Sequence, residues 1–288
     1  MNARNIPRRA LRRTASLMAL VALGLPGAAV AISTDDQASL WPGYVYPRSG
    51  DTSSEWYRFC NTARPNSIAI MNPDNGPGTS QNSDYVTVVN YCRLSGTPQA
   101  PSFKNVIGYV KTSYGARSLD IVKAEIDDYY SWYNVDGIFL DEMSNDTSTA
   151  PYYAELLAYV HTKGNTSPHV NQDLVVGNPG APASTSWQLD GYLSYGPAAD
   201  IVVVSEQQNA IQPMPSWVAN KLPNELAILI YDVTSVSSMQ TYCASTKSAN
   251  AGYIYITDDY LSGTGVNPWD SLPTDPYWSS ELDCMNGP

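Results

Sequence analysis

Charge is scarce in this chain of 288 residues: only 15% are Asp, Glu, Lys or Arg, and 16 basic residues face 27 acidic ones. A formal charge of −11 argues against a nucleic-acid partner, whose phosphates demand a basic surface. The shortage of Lys and Arg argues equally against an acidic polymer as ligand. Histidine is rarer still, at two residues, so zinc-protease and Ser-His-Asp schemes lack parts. No HExxH or CxxC motif is present. No GxGxxG follows the first strand-like run, which counts against dinucleotide binding. Internal repeats and long low-complexity linkers are also missing. What is plentiful is apolar and aromatic: 43% hydrophobic residues, with 21 Tyr and 7 Trp. Such a chain can bury a large core and is not a disordered one.

No apolar run reaches the roughly 20 residues that span a bilayer. The run over residues 17–30 follows Arg8, Arg9, Arg12 and Arg13 and ends at Ala29-Val30-Ala31. A basic start, a short apolar stretch and an A-x-A site read as a secretory signal peptide. Residues 1–31 are therefore expected to be cleaved, leaving 32–288 as a secreted domain with no membrane association. Periplasm or cell envelope are variants of the same destination. The leader holds five Arg and no acid, so the remainder carries 11 basic and 27 acidic residues, a net −16. That charge steers cationic ligands inward. Export also places Cys60, Cys92, Cys243 and Cys284 in an oxidising compartment. Three pairings are open; proximity in sequence favours Cys60–Cys92 and Cys243–Cys284. A monomer is expected.

Eight short apolar runs recur, over residues 43–46, 67–71, 106–110, 135–140, 174–177, 201–204, 226–230 and 252–256. Most are continuous rather than alternating, as strands buried on both faces should be. Helical spacing predicts helices over 118–133, 151–163 and 235–247. Residues 85–94 suit a helix, although their Val-Thr-Val-Val core would also suit a strand. Eight strands alternating with helices predict an α/β fold, a single (β/α)8 TIM barrel with a C-terminal tail from about residue 263. The main rival is an open doubly wound sheet.

Active sites of such barrels lie at the C-terminal ends of the strands. Tyr46, Asn72, Thr112, the pair Asp141-Glu142, Asn178, Glu206 and Tyr231 follow or end successive runs. One mouth would thus be lined by carboxylates, amides and tyrosines. Sugars suit that lining, because hydroxyls want polar partners and C–H faces want rings. Glycosidic hydrolysis needs a protonated carboxyl and a second group at the oxocarbenium-like centre. Asp141, Glu142 and Glu206 are the candidate catalytic acids. Glu142 is the expected general acid, kept protonated by burial and acidic neighbours. Asp141 either orients an acetamido group or, like Glu206, is a direct nucleophile. No metal or cofactor is expected.

Several blocks in order resemble a known family: Tyr46-Pro47, Asn72-Pro73 with Gly76-Pro77-Gly78, Gly108-Tyr109-Val110-Lys111-Thr112 with Tyr114-Gly115, and Asp136-Gly137-Ile138-Phe139-Leu140-Asp141-Glu142. Together with Asn178-Pro179-Gly180 and Glu206 they are similar to the spherulin-4-like family, from about residue 40 to about 260. The resemblance implies a secreted (β/α)8 endo-hydrolase of the glycoside hydrolase 135 type. Its substrate would be α-1,4 linkages beside N-acetylgalactosamine in microbial exopolysaccharide, and its functional acids would match Asp141, Glu142 and Glu206. Tyr46, Asn72, Tyr109, Thr112, Asn178 and Tyr231 would shape the sugar subsites. Two alternatives stay open: a non-catalytic carbohydrate-binding matrix or wall protein, and a glycosidase for deacetylated galactosaminide or plain galactoside. The substrate partner would be a hexosamine-containing polysaccharide, cationic where it is deacetylated.

Overall fold

The computed structural model describes residues 36–94, 96–97, 100–101, 104–164, 173–263 and 267–286. The expected leader, residues 1–31, lies outside them. Eight parallel strands close into a barrel: β1 (Ala38–Gly43), β2 (Ile68–Met71), β3 (Asn105–Lys111), β4 (Gly137–Asp141), β5 (Leu174–Asn178), β6 (Ile201–Gln208), β7 (Leu226–Tyr231) and β8 (Tyr253–Ile256). Each strand pairs with its neighbours in sequence, and β8 returns to β1. Outside them run α1 (Glu55–Thr62), α2 (Ser83–Leu94), α3 (Leu119–Tyr133), α4 (Ala150–Gly164), the single turn α5 (Trp187–Asp190), α6 (Val236–Ser248) and α7 (Tyr277–Met285). The β6–β7 connection carries only 3-10 turns, Val218–Asn220 and Pro223–Glu225.

Seven of the eight expected strands stand where their apolar runs are. The first does not. β1 is Ala38–Gly43, ahead of the run at 43–46. Its Trp41-Pro42-Gly43 reads as a turn, yet all three residues are buried and in register with β2 through Trp41–Ala69, Pro42–Ile70 and Gly43–Met71. The chain then bends away. The Tyr44 N–H donates to Pro42 O at 2.9 Å and to Trp269 O at 3.0 Å, not to a strand. Residues 85–94 are helical, and α1 and α7 are helices that periodicity did not single out.

Helix and strand lock together where a side chain is missing. Gly108 on β3 faces the ring of Tyr129 on α3, and a Cβ there would lie 2.5 Å from ring carbons. Gly137 opens β4 against the carbonyl of Leu174, leaving no space for a Cβ. At the opposite end to the strand C-termini, carboxylates reach across to neighbouring strands. Asp136 accepts from the Val106 N–H at 2.8 Å and from Arg93, and Asp200 accepts from the Val175 N–H at 2.8 Å. A buried backbone donor without a partner costs about 1–3 kcal/mol, so these acids stabilise strand starts rather than chemistry.

The closing seam is short. β1 meets β8 through Ala38–Tyr253 and Ser39–Ile254 alone. Buried Gln37 reinforces it, donating from its side chain to Ala251 O at 2.8 Å and to Thr246 Oγ1 at 3.1 Å, while its N–H reaches Met285 O at 3.1 Å. The tail is thus part of the barrel. α7 fills the eighth outer position between α6 and α1, with the Trp278 indole donating to Thr62 Oγ1 at 2.8 Å and its ring beside Phe59. All four cysteines are paired as Cys60–Cys92, tying α1 to α2, and Cys243–Cys284, tying α6 to α7.

Candidate active site

The strand pleat puts alternate residues on one face. Lys111, Asp141 and Asn178 occupy one row in register across β3, β4 and β5. One position deeper on the same face are Tyr109 and Phe139, stacked with ring centroids 6.2 Å apart. Asp141 is the focus of this row. Its Oδ2 accepts from the Tyr109 hydroxyl at 2.8 Å and its Oδ1 from the Asn178 amide at 2.9 Å.

The same Asn178 nitrogen donates to Glu206 Oε2 at 2.7 Å. Two carboxyl oxygens therefore share one nitrogen, and their separation cannot exceed the sum of those two bonds. Asn178 is itself fixed, because its Oδ1 accepts from the Gly180 N–H at 3.0 Å. Glu206 reaches this position through a β-bulge. The β6–β7 register shifts between Val203 and Ser205, leaving Val204 as the extra residue. Without it, alternation would send Glu206 to the face opposite Val203; with it, the two share a face.

Burial pushes both carboxyls up. For Asp141, desolvation is the largest cause, opposed by the Tyr109, Glu142 backbone and Asn178 hydrogen bonds, with the Glu142 charge raising it further. For Glu206, desolvation again leads, opposed by Asn178 and by hydrogen bonding from Trp269, with the Asp141 charge raising it. Both carboxyls therefore hold a proton to higher pH than their free counterparts.

Glu142 sits differently. Its Oε1 is 2.9 Å from Lys111 Nζ, and the side chains of Lys111 and Glu142 are 43% and 30% exposed. Its nearest charged partner is thus a cation, not the acids expected from sequence. Its backbone is left-handed, with φ of 50°, as are Ser113 (50°) and Tyr114 (56°) opposite. Non-glycine residues hold that region only when their surroundings impose it, often at functional sites. Here the Tyr114 N–H donates to Glu142 O at 2.7 Å, and the Thr112 hydroxyl bonds Asp141 O and Glu142 O at 2.8 Å each.

The other expected site residues divide in two. Tyr109 and Asn178 hold Asp141 as described. Tyr231 lies at the mouth, edge-on to Trp269 at 5.8 Å. Thr112 is fully buried, and its hydroxyl is committed to the Asp141-Glu142 backbone and Tyr153. Asn72 spends its Oδ1 on the Gly76 N–H at 3.0 Å, closing its own loop. Tyr46, beyond the displaced first strand, leans outward onto α2, its hydroxyl donating to Asp84 at 2.5 Å.

Two residues at the mouth were not among the expected site residues. Tyr44 packs edge-on to Tyr109 at 5.6 Å, and its hydroxyl is pushed well up by burial and then by the charge of Asp141. Trp269 arrives from beyond β8 to meet Glu206, Tyr231 and Tyr255. Neither carries a motif; Trp269 could be found only by knowing that the tail folds back over the mouth.

Comparisons with known proteins agree with this architecture. Spherulin-4 from Physarum polycephalum is 35% identical over 193 residues, 65% of this chain and 51% of that protein. The chain thus spans about half the length of the curated relative it matches. Sph3 from Aspergillus clavatus, solved in complex with GalNAc, superposes with a TM-score of 0.64 at 21% identity, over 88% of this chain and 100% of that one. The endo-beta-N-acetylglucosaminidase from Cordyceps militaris gives 0.51 at 13% identity, over 88% and 92%. The profile of spherulation-specific family 4 matches residues 39–285, and the chain belongs to that family.

Proposed function

We propose that this protein hydrolyses glycosidic bonds within a hexosamine-containing polysaccharide, with Asp141 and Glu206 acting from opposite sides of the scissile bond. The observation that carries this reading is the single Asn178 nitrogen between the two buried carboxyls, at 2.9 and 2.7 Å. Retaining glycosidases keep their carboxyls about 5–5.5 Å apart, whereas inverting ones need about 6.5–9.5 Å for a water. Two oxygens bridged by one donor fall in the shorter class.

Asp141 has a donor on each oxygen, which favours its ionised form and suits attack on, or stabilisation of, the anomeric carbon. Glu206 supplies the proton to the leaving oxygen. It then takes one from the water that completes hydrolysis. The sequence-based choice of Glu142 as acid rested on burial and acidic neighbours; desolvation instead raises Asp141 and Glu206, and Glu142 is paired with Lys111. Glu142 and Lys111 would line the sugar's approach, with Tyr44, Tyr231 and Trp269 offering ring faces. The GalNAc bound to Sph3 supports an N-acetylgalactosamine-containing substrate; internal cleavage at α-1,4 linkages is the part of the proposal that the released products test. The two disulfides support an extracellular setting.

The test is release of oligosaccharides from partially acetylated galactosaminogalactan, read by mass spectrometry. Asp141→Asn and Glu206→Gln should each lower turnover by about 10²–10⁴-fold with the fold intact. Retention of the polymer with no released product from wild type would instead identify a carbohydrate-binding protein. Near wild-type turnover in either variant would remove that residue from the mechanism.

A further inference from the structure

Lys111 stands out in the mouth. It is a cation in register with Asp141, on a strand end facing a cleft of acids. In a protein so poor in Lys and Arg, a lysine at this point needs a reason. Its ammonium has three donors, and Glu142 Oε1, at 2.9 Å, takes one. Lys111 lies in the same row as Asp141 and Asn178, and nearly half of its side chain is exposed, so its remaining donors are open to a ligand at this end of the barrel.

We infer that Lys111 selects an N-acetylated sugar over a free amino sugar at the cleavage position, an assignment that rests on the glycosidase reading above. The chemistry distinguishes the two ligands by sign. An acetamido group is neutral and presents a carbonyl oxygen, which accepts from an ammonium. A deacetylated hexosamine presents its own ammonium, which would meet Lys111 as a like charge and could reach Glu142 only by displacing it. Like charges brought together at a recognition surface reject the wrong partner, and natural specificity uses such repulsion alongside attraction.

Without Lys111 the logic reverses. Asp141, Glu142 and Glu206 would form a mouth of three carboxyls with no cation between them, which favours an ammonium sugar. The net negative charge of the chain and the lysine then act at different ranges. The first gathers a partly deacetylated, cationic polymer over distances of about a Debye length. The second decides locally which of its residues is seated for cleavage.

The test compares wild type, Lys111→Gln and Lys111→Arg on fully N-acetylated and fully deacetylated galactosamine oligomers, with kcat/KM for each. The Gln variant should shift the acetylated-to-deacetylated ratio by roughly tenfold or more toward the amine, and Arg should restore it. Binding of N-acetylgalactosamine and of galactosamine to the same three proteins, measured by calorimetry or NMR titration, should move in parallel. An unchanged ratio in Lys111→Gln, with its melting temperature preserved, overturns the inference. If wild type cleaves neither oligomer, the hydrolase reading fails, and the binding arm still decides whether Lys111 reads the acetyl group.

Discussion

The Tyr109 hydroxyl donates to Asp141 Oδ2 from the adjacent strand at 2.8 Å, making a phenol the deepest support of the buried carboxylate. A hydrogen bond to the charged form lowers a carboxyl's pKa, and here it opposes the larger desolvation that raises it.

Replacing that phenol gives a signed expectation. Tyr109→Phe removes a donor to the ionised form, so the Asp141 pKa rises further. Activity that needs ionised Asp141 is then lost at higher pH than in wild type. The acidic limb of the kcat/KM profile should move upward, with little change on the alkaline limb. A hydrogen bond to a charged group is worth about 1.5–3 kcal/mol, which corresponds to roughly one to two pH units. An acidic limb that stays in place would show that Asp141 is not the group titrating there.

Glu281 supplies a second, structural titration. It is fully buried on α7, with Oε1 accepting from the Ile256 N–H at 2.8 Å and Oε2 without a partner among the described residues. Burial pushes its pKa well above the ordinary glutamate value of 4.5. Between the unfolded and folded pKa the native state binds a proton that the unfolded chain has released. Stability therefore falls as pH rises through that window, by up to about 1.4 kcal/mol per pH unit. Denaturant midpoints measured from pH 5 to 8 should decline in wild type more than in Glu281→Gln, which keeps the acceptor for Ile256 and carries no charge. Parallel slopes would mean that another group dominates.

Gly108→Ala should be costly although it adds one methyl. The new Cβ would lie 2.5 Å from Tyr129 ring carbons held between α3 and β3. Overpacking of this kind costs about 1–3 kcal/mol, occasionally more. The melting temperature should drop by several degrees. Gly108→Ala combined with Tyr129→Leu should recover part of the loss, and a neutral Gly108→Ala would show that the ring has room to move.

Much of the barrel was legible because its strands are buried on both faces and so read as continuous apolar runs, from the Val-Ile-Gly-Tyr-Val of β3 to the Tyr-Ile-Tyr-Ile of β8. β1 was misplaced because Pro42 and Gly43 look like turn residues, while the aromatic run after them looks like a strand. Burial against Trp56 and pairing with β2, neither visible locally, settles it. Asp141 was found because it ends a strand abruptly. The orientation of Glu206 was not legible, since four consecutive residues, Ile201 to Val204, give no hint of which one bulges. The charge partner of Glu142 was hidden as well: pairing Lys111 with the β4 end takes the register between strands, and the chain alone does not print it.

The seam between β1 and β8 sets an order on how the molecule can be made. Strand one has its partner on one side early, but the other edge stays open until the last strand and α7 have been synthesised, because Gln37 finds its partners at Thr246, Ala251 and Met285. An incomplete chain therefore presents an unpaired strand edge, and the enclosure that brings Trp269 to Glu206 arrives at the same final stage. The mouth and the closed circle are completed together, so a ring that has not shut has no finished site to offer.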